Sequence, residues 1–197
     1  MNEVAKLMGA TPQPAETAEL PHNVEAEQQL LGAILSSNDV LDRVDDLVKT
    51  DHFYDPVHAD IFALASGRIT KGMQTDATTL KNFMADHPGL MALGGAEYLL
   101  RMQLSAIATT AARDYAQLIH DLALRRSLIG LGKDIADTAQ AVRDDSSPDD
   151  QIVEAEAKLF QLASTGTASK GFQSFLRALT DAVDIANAAY NRGGGLA

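Results

Sequence analysis

From about Thr110 to Arg143 the chain contains no proline, and its only helix-weakening residues are Gly130 and Gly132. Each glycine costs about 1 kcal/mol relative to alanine inside a helix, which weakens a helix of this length without ending it. Apolar residues recur along this stretch at helical spacing in two stripes. Tyr115, Leu118, Ile119, Leu122 and Ile129 form one; Leu128, Leu131, Ile135, Ala139 and Val142 form a second, rotated from the first. Ser147-Pro148-Asp149-Asp150 then supplies a cap, a proline at a helix start and an acidic first turn. The helix behind it carries Ile152, Val153, Leu159, Phe160, Leu162 and Ala163. Two long helices joined by Asp144-Asp145-Ser146-Ser147 predict an antiparallel hairpin. A lone hairpin cannot bury two stripes. It needs a second surface, either its own globular domain or another subunit.

The residues before it predict that domain. Positions 1–20 lack periodicity, contain Pro12 and Pro14, and read as a disordered polar leader. Asn23 caps a helix running to about Ser37, with Glu25 and Glu27 near its positive end and Val24, Gln28, Leu31 and Leu35 on one face, widened by Leu30 and Ile34. A second helix starts at Asn38 or Asp39 and carries Val40, Leu41, Val44, Leu47 and Val48. Asp55-Pro56 starts a third, with Ile61, Phe62, Leu64 and Ile69, ended by Gly72. Thr75 or Asp76 caps a fourth, which turns Leu80, Phe83 and Met84 inward and stops at Pro88-Gly89. Gly94-Gly95 turns the chain into a helix bearing Tyr98, Leu99, Leu100, Met102 and Leu104.

Beyond the hairpin, the run from Ser164 to Gly171 is a small-residue linker. Phe172, Phe175, Leu176, Leu179, Val183, Ala186 and Tyr190 follow at offsets of 0, 3, 4, 7, 11, 14 and 18, a helical stripe opposite Gln173, Arg177, Asp181, Asp184 and Asn187. Burying these apolar side chains releases on the order of 10 kcal/mol before ordering costs, and about half that net. An amphipathic helix tethered at both ends is built to dock, on a neighbouring subunit, on another domain or back on its own core. The expected organisation is all-α: a leader over 1–20, a globular domain over 21–107, a hairpin over 108–165, a linker over 166–173, a docking helix over 174–191 and a tail over 192–197.

Composition narrows the function. With no cysteine there is no disulfide framework, thiol nucleophile or cysteine-based zinc site, which fits a reducing cytoplasm. The formal net charge is -11, from 16 basic and 27 acidic residues, and Arg125-Arg126 is the only adjacent basic pair. Nucleic-acid affinity comes largely from neutralising phosphates, so weak or no direct DNA binding is expected. No apolar run approaches the roughly 20 residues needed to span a bilayer, and no membrane association is expected.

The densest set of candidate ligands is Asp51, His52, Asp55, His58 and Asp60. On a helix starting at Asp55, His52 and Asp60 project away from the others, so convergence on a metal is not expected. His22, His87 and His120 stand alone in the sequence. Gly132-Lys133-Asp134 fails as a phosphate loop because position 127 is Ser and position 134 is Asp. No catalytic, metal or cofactor residue is expected.

The run from Pro21 to Leu35, PHNVEAEQQLLGAIL, resembles the opening of replicative DNA helicases of the DnaB type, whose pattern is PxNxEAEQxLLGxxL. Phe53-Tyr54 with His58-Ala59-Asp60-Ile61-Phe62 resembles the family's FY…H..IF segment, and Thr75 to Leu80 its D..TL helix start. Gly94-Gly95-Ala96-Glu97-Tyr98-Leu99 resembles its GG..YL turn, and Tyr115 to Ile129 its YA.I…..RR.LI helix. The likeness covers about residues 21 to 190.

It implies a non-catalytic N-terminal region that pairs through its hairpin, with three pairs forming a collar on a hexameric ring that recruits primase. Candidate self-association residues are Leu128, Ile135, Val142, Ile152 and Leu159. The helix carrying Phe172 to Tyr190 is expected to dock on the motor domain of the adjacent subunit and to be bound by a helicase loader. ATP and Mg belong, in such helicases, to the motor that follows, and the chain is expected to end just short of it. The alternative is an unrelated all-α adaptor or regulator.

Overall fold

The computed structural model describes residues 19–106, 109–141 and 147–164, and these are helical with no strand among them. Contacts separate the chain into two compact units that divide between Arg126 and Ser127. The sequence puts the start of the hairpin at residue 108, yet the first half of its long helix packs with the globular unit.

In the N-terminal unit, α1 (Val24–Ser36) is the central element. Asn23 caps it by accepting from the Ala26 amide at 2.9 Å. From Leu30 to Leu35 every residue of α1 is buried, so the stripe read from the sequence is in fact a full girdle. Neighbouring helices surround it. α3 (Pro56–Ile69) begins at Asp55, whose carboxylate accepts from the Val57 amide at 2.8 Å. α6 (Ala96–Ser105) follows Gly94 and Gly95, both at positive φ, where glycine avoids the steric cost of a Cβ. α6 crosses α1 at Gly32, and a Cβ there would overlap the backbone carbonyl oxygen of Met102. Asn38 joins the end of α1 to the loop around Thr75, donating to Ile34 O and Thr75 O and accepting from the Thr75 amide.

Several elements depart from the sequence reading. The second helix, α2 (Asp39–Asp42), is a single turn, and isolated turns with mixed three- and four-residue hydrogen bonds continue the chain to Val48. Its run of Asp and Val residues explains this: Asp competes for backbone hydrogen bonds and Val loses rotamers in a helix. Val40, Leu41, Val44 and Val48 are buried all the same. α4 (Ala77–Leu80) is also one turn, closed by a reciprocal cap between Asp76 and Thr79. Phe83, expected to point inward, is 60% exposed and lies under the Arg68 guanidinium, 4.4 Å from its ring centre. Pro88-Gly89 does not only stop a helix. It opens α5 (Pro88–Ala92), capped by the His87 ring accepting from the Leu90 amide at 3.1 Å.

α7 (Ala112–Gln140) is the long helix, preceded by a 3-10 turn over Thr109–Ala111. Its buried face is Ala112, Ala116, Ile119 and Ala123, a narrower and smaller set than the expected stripe; Leu118 and Ile129 are exposed. Small residues let this part of α7 approach the core closely.

Replacing Gly32 with alanine is expected to push α1 from α6 and destabilise the N-terminal unit by about 2 kcal/mol or more. A thermal melt should show the loss as a fall of roughly 8 °C or more. An unchanged melting temperature would show that the crossing has slack.

Candidate functional site

Three residues from three helices meet at the base of the N-terminal unit: Glu27 of α1, His58 of α3 and Tyr98 of α6. Glu27 is 2% exposed and His58 0%. A buried carboxylate must have its acceptors met internally. Glu27 Oε1 accepts from the Tyr54 amide at 2.7 Å and Oε2 from the Asp55 amide at 3.3 Å, the free N–H groups ahead of α3. Oε2 also lies 2.7 Å from His58 Nδ1. His58 Nε2 lies 2.6 Å from the Tyr98 hydroxyl, which accepts from Gln28 Nε2 at 3.0 Å. The pattern closes with Nδ1 donating to the carboxylate and the phenol donating to Nε2. Burial pushes the Tyr98 phenol above its ordinary range, only partly offset by the Gln28 hydrogen bond. From the sequence, Glu27 is a partner for the positive end of its own helix; in the fold it also holds the start of α3.

A second tie fastens α7 to the same unit. Arg126 donates to the carbonyls of Pro21 at 2.9 Å and His52 at 2.6 Å, and its guanidinium lies 5.7 Å from the Tyr54 ring centre. Tyr54 stacks on His22 at 4.1 Å, and His52 meets His120 edge-on at 5.2 Å. His22, His87 and His120, isolated in the sequence, therefore each have a partner; His87 lies 2.9 Å from Asp60.

The five acid and imidazole residues of the 51–60 cluster disperse. His58 turns inward to Glu27, Asp60 pairs with His87, Asp55 caps α3, and His52 Nδ1 accepts from the Lys49 amide. Among the described residues no group of three His, Asp or Glu side chains is placed to hold a metal.

Exposed large apolar side chains occur in both units, Leu104 at 76% among those of the N-terminal unit, but in the C-terminal unit they lie on just two helices among the described residues, with no buried core beneath them. The second helix of that unit, α8, spans residues 148–164 and is capped by reciprocal hydrogen bonds between Ser147 and Asp150. A groove between the helices is lined by Asp134, Ile135 and Ala139 on α7 and by Pro148, Ile152 and Lys158 on α8. Leu131 lies by Leu162 at one end and Ala139 by Pro148 at the other, so the helices run antiparallel. Within α8 only Gln151, Ala155 and Leu162 are even half-buried. Seven large apolar side chains, Leu128, Ile129, Ile135, Ile152, Val153, Leu159 and Phe160, are between 37% and 76% exposed.

Of the candidate self-association residues, Leu128, Ile135, Ile152 and Leu159 belong to this surface. Val142 lies outside the described residues, as do Phe172, Phe175, Leu176, Leu179, Val183, Ala186 and Tyr190 of the expected docking helix. Phe160 and Val153, the most exposed of the seven, were not among the candidates. Their i, i+7 spacing on α8 was the signal that could have found them.

Comparison with known proteins places this arrangement. Residues 19–121 match the family described as the DnaB-like helicase N terminal domain. The replicative DNA helicase DnaB of Rickettsia conorii is 35% identical over 153 residues, covering 78% of this chain and 31% of that protein. That of Rickettsia bellii is 33% identical over 170 residues, covering 86% and 34%. The chain thus spans about a third of the length of these relatives. Among solved structures, the N-terminal domain of DnaB helicase from Mycobacterium tuberculosis superposes with a TM-score of 0.65 at 25% identity, covering 72% of this chain and 98% of that one. A DnaB-like replicative helicase, solved with its interactions with primase, superposes at 0.59 and 24% identity, covering 74% and 32%.

The fold is therefore the all-α domain that such helicases carry at their N-termini. The chain belongs to the DnaB-like helicase N-terminal domain family, and the alternative of an unrelated adaptor falls.

Two expectations follow from the polar cluster. Glu27→Ala strands the Tyr54 and Asp55 amides and the His58 ring, and should cost about 3 kcal/mol or more, whereas Tyr98→Phe should cost about 1–2 kcal/mol. Urea unfolding of both variants checks the order; equal, small losses would mean that water replaces the carboxylate. The second concerns His52, whose pKa burial holds below its ordinary 6.5, with His120 and Arg126 adding to the effect against Asp51. The unfolded chain then takes up the proton first, so this contribution to stability is intact above about pH 6.5 and is lost as pH falls below it. His52→Asn should flatten the stability profile between pH 7.5 and 5.5 relative to the unmodified chain.

Proposed function

We propose that this chain is the N-terminal assembly region of a replicative DNA helicase, and that copies associate through the α7–α8 pair. The observation that carries this reading is the set of seven exposed apolar side chains on two helices that offer each other only a half-buried seam. Surfaces of this kind mark association sites. Covering them releases roughly 7 kcal/mol before association costs, enough to favour pairing but not to guarantee affinity. In the parent protein, pairs of hairpins assemble by threes into a collar on the hexameric ring.

The collar recruits primase. Support comes from the likeness in fold to the helicase described with its primase interactions, and from the family itself. The helix over 174–191 docks on a neighbouring motor domain and presents a surface to a loader, a reading that rests on the sequence stripe. Unwinding of DNA with ATP and Mg belongs to the parent helicase, in the cytoplasm. With 27 acidic against 16 basic residues, this region contributes assembly and not affinity for DNA. No helix among the described residues is long and apolar enough to cross a membrane.

Ile135→Asp should abolish association while leaving helicity intact, and so should Phe160→Glu, whose side chain is 76% exposed and free to change without harm to the fold. Light scattering coupled to size-exclusion chromatography reads the outcome. A mass that stays the same in both variants, or a monomer at the outset, sinks the proposal.

A further inference from the structure

The N-terminal unit carries a groove that neither the polar cluster nor the hairpin uses. It lies where the segment from α2 to the 3-10 turn at Thr50–His52 faces α3, and it encloses about 860 Å³, within the range of recognition pockets. Its floor is apolar and formed in advance. Leu41, Val48, Phe53 and Phe62 line it and are themselves nearly buried, the two rings 5.0 Å apart, with Ile69 half-buried beside them.

Its rim is acidic. Asp42, Asp45 and Asp51 line the groove, all exposed, and among the described residues no hydrogen bond or ion pair engages their carboxylates. Lys49, the one cation on the rim among the described residues, donates its Nζ to the Asp45 backbone carbonyl. The contrast with Asp46 is instructive. That carboxylate lies next to this rim in sequence but is held by a two-pronged Arg113 contact at 3.1 and 2.9 Å, which keeps its pKa low. The rim carboxylates have no such partner among the described residues.

We propose that this groove docks a short segment of a partner protein, one that lays bulky apolar side chains over Phe53 and Phe62 and sets Lys or Arg against Asp42, Asp45 and Asp51. The apolar anchor supplies affinity, and the charges supply steering and orientation. A second copy of this chain is the wrong occupant, since the exposed apolar side chains it offers on α8 are accompanied by exposed Asp149, Asp150, Glu154 and Glu156, which an acidic rim repels. Nucleic acid is excluded by the same repulsion. The inference goes beyond self-association, because the groove lies in the N-terminal unit and the α7–α8 surface in the other.

The test is selection of random 16-residue displayed peptides on the full 197-residue chain, followed by synthesis of the selected sequences. Expected are peptides that combine two or more bulky apolar residues with Lys or Arg. Their affinity should fall at least tenfold on the Asp45→Lys/Asp51→Lys variant and several-fold on Ile69→Ala, with unchanged circular dichroism in both. Amide shifts on binding should cluster at residues 41–53 and 59–70. The control is Asp121→Lys/Asp149→Lys, two exposed sites elsewhere that change net charge equally. An equal loss on that control would reduce the effect to bulk charge and overturn the proposal. So would peptides without basic residues, shifts confined to α7 and α8, or a selection that yields no binder.

Discussion

A carboxylate shut away from water dictates much of this fold. Glu27 sits in the first turn of α1, at 2% exposure, and each of its oxygens needs a donor from some other part of the chain. The donors it finds are the amides ahead of α3 and the ring of His58; through that ring the tie reaches Tyr98 on α6. Apolar packing of α1 against α3 and α6 tolerates small slips, because dispersion and burial are not directional. A buried hydrogen-bond chain does not. It admits one rotation and one height for each helix, so the girdle of α1 packs in a single register.

The Arg126 tie works on the same principle at a different place. Its guanidinium bonds two carbonyls from segments far apart in sequence, Pro21 and His52, and so closes the N-terminal unit around the first half of α7. The boundary between the two units falls at the next residue. On one side, α7 buries alanines and Ile119 in a finished core; on the other, the same helix and α8 leave large apolar side chains in water. Among the described residues every fully buried apolar side chain belongs to the N-terminal unit, and none to the other.

The motifs that carry the family likeness acquire a physical meaning here. Glu27 of the EAEQ run, His58 of the H..IF segment, Tyr98 of the GG..YL turn and Arg126 of the RR pair are distant in sequence but belong to these two ties. Each is a weak signal alone, because a Glu in a first turn, a lone His or a Tyr on a helix has many structural explanations. Caps were easier to read. Asn23, Asp55, Asp76 and Ser147 all serve as N-caps, since capping depends on a side chain and amides two or three residues away. Helix length was harder: α2 and α4 stop after one turn, and Phe83 ends up under Arg68 instead of in the core.

The chain's local chemistry was enough to set its all-α class, most of its helix starts, its glycine turns and the excess of apolar surface on α7 and α8. These properties depend on residues within a turn or two of one another, so spacing alone carries them. Only the tertiary structure decided that Glu27, His58 and Tyr98 meet, that α7 lends its alanine face to the globular unit, and that an acid-rimmed groove opens beside α3. Those outcomes depend on which helices cross and at what height, and no periodicity within a single segment encodes the distance between residues that are 31, 40 or 74 positions apart.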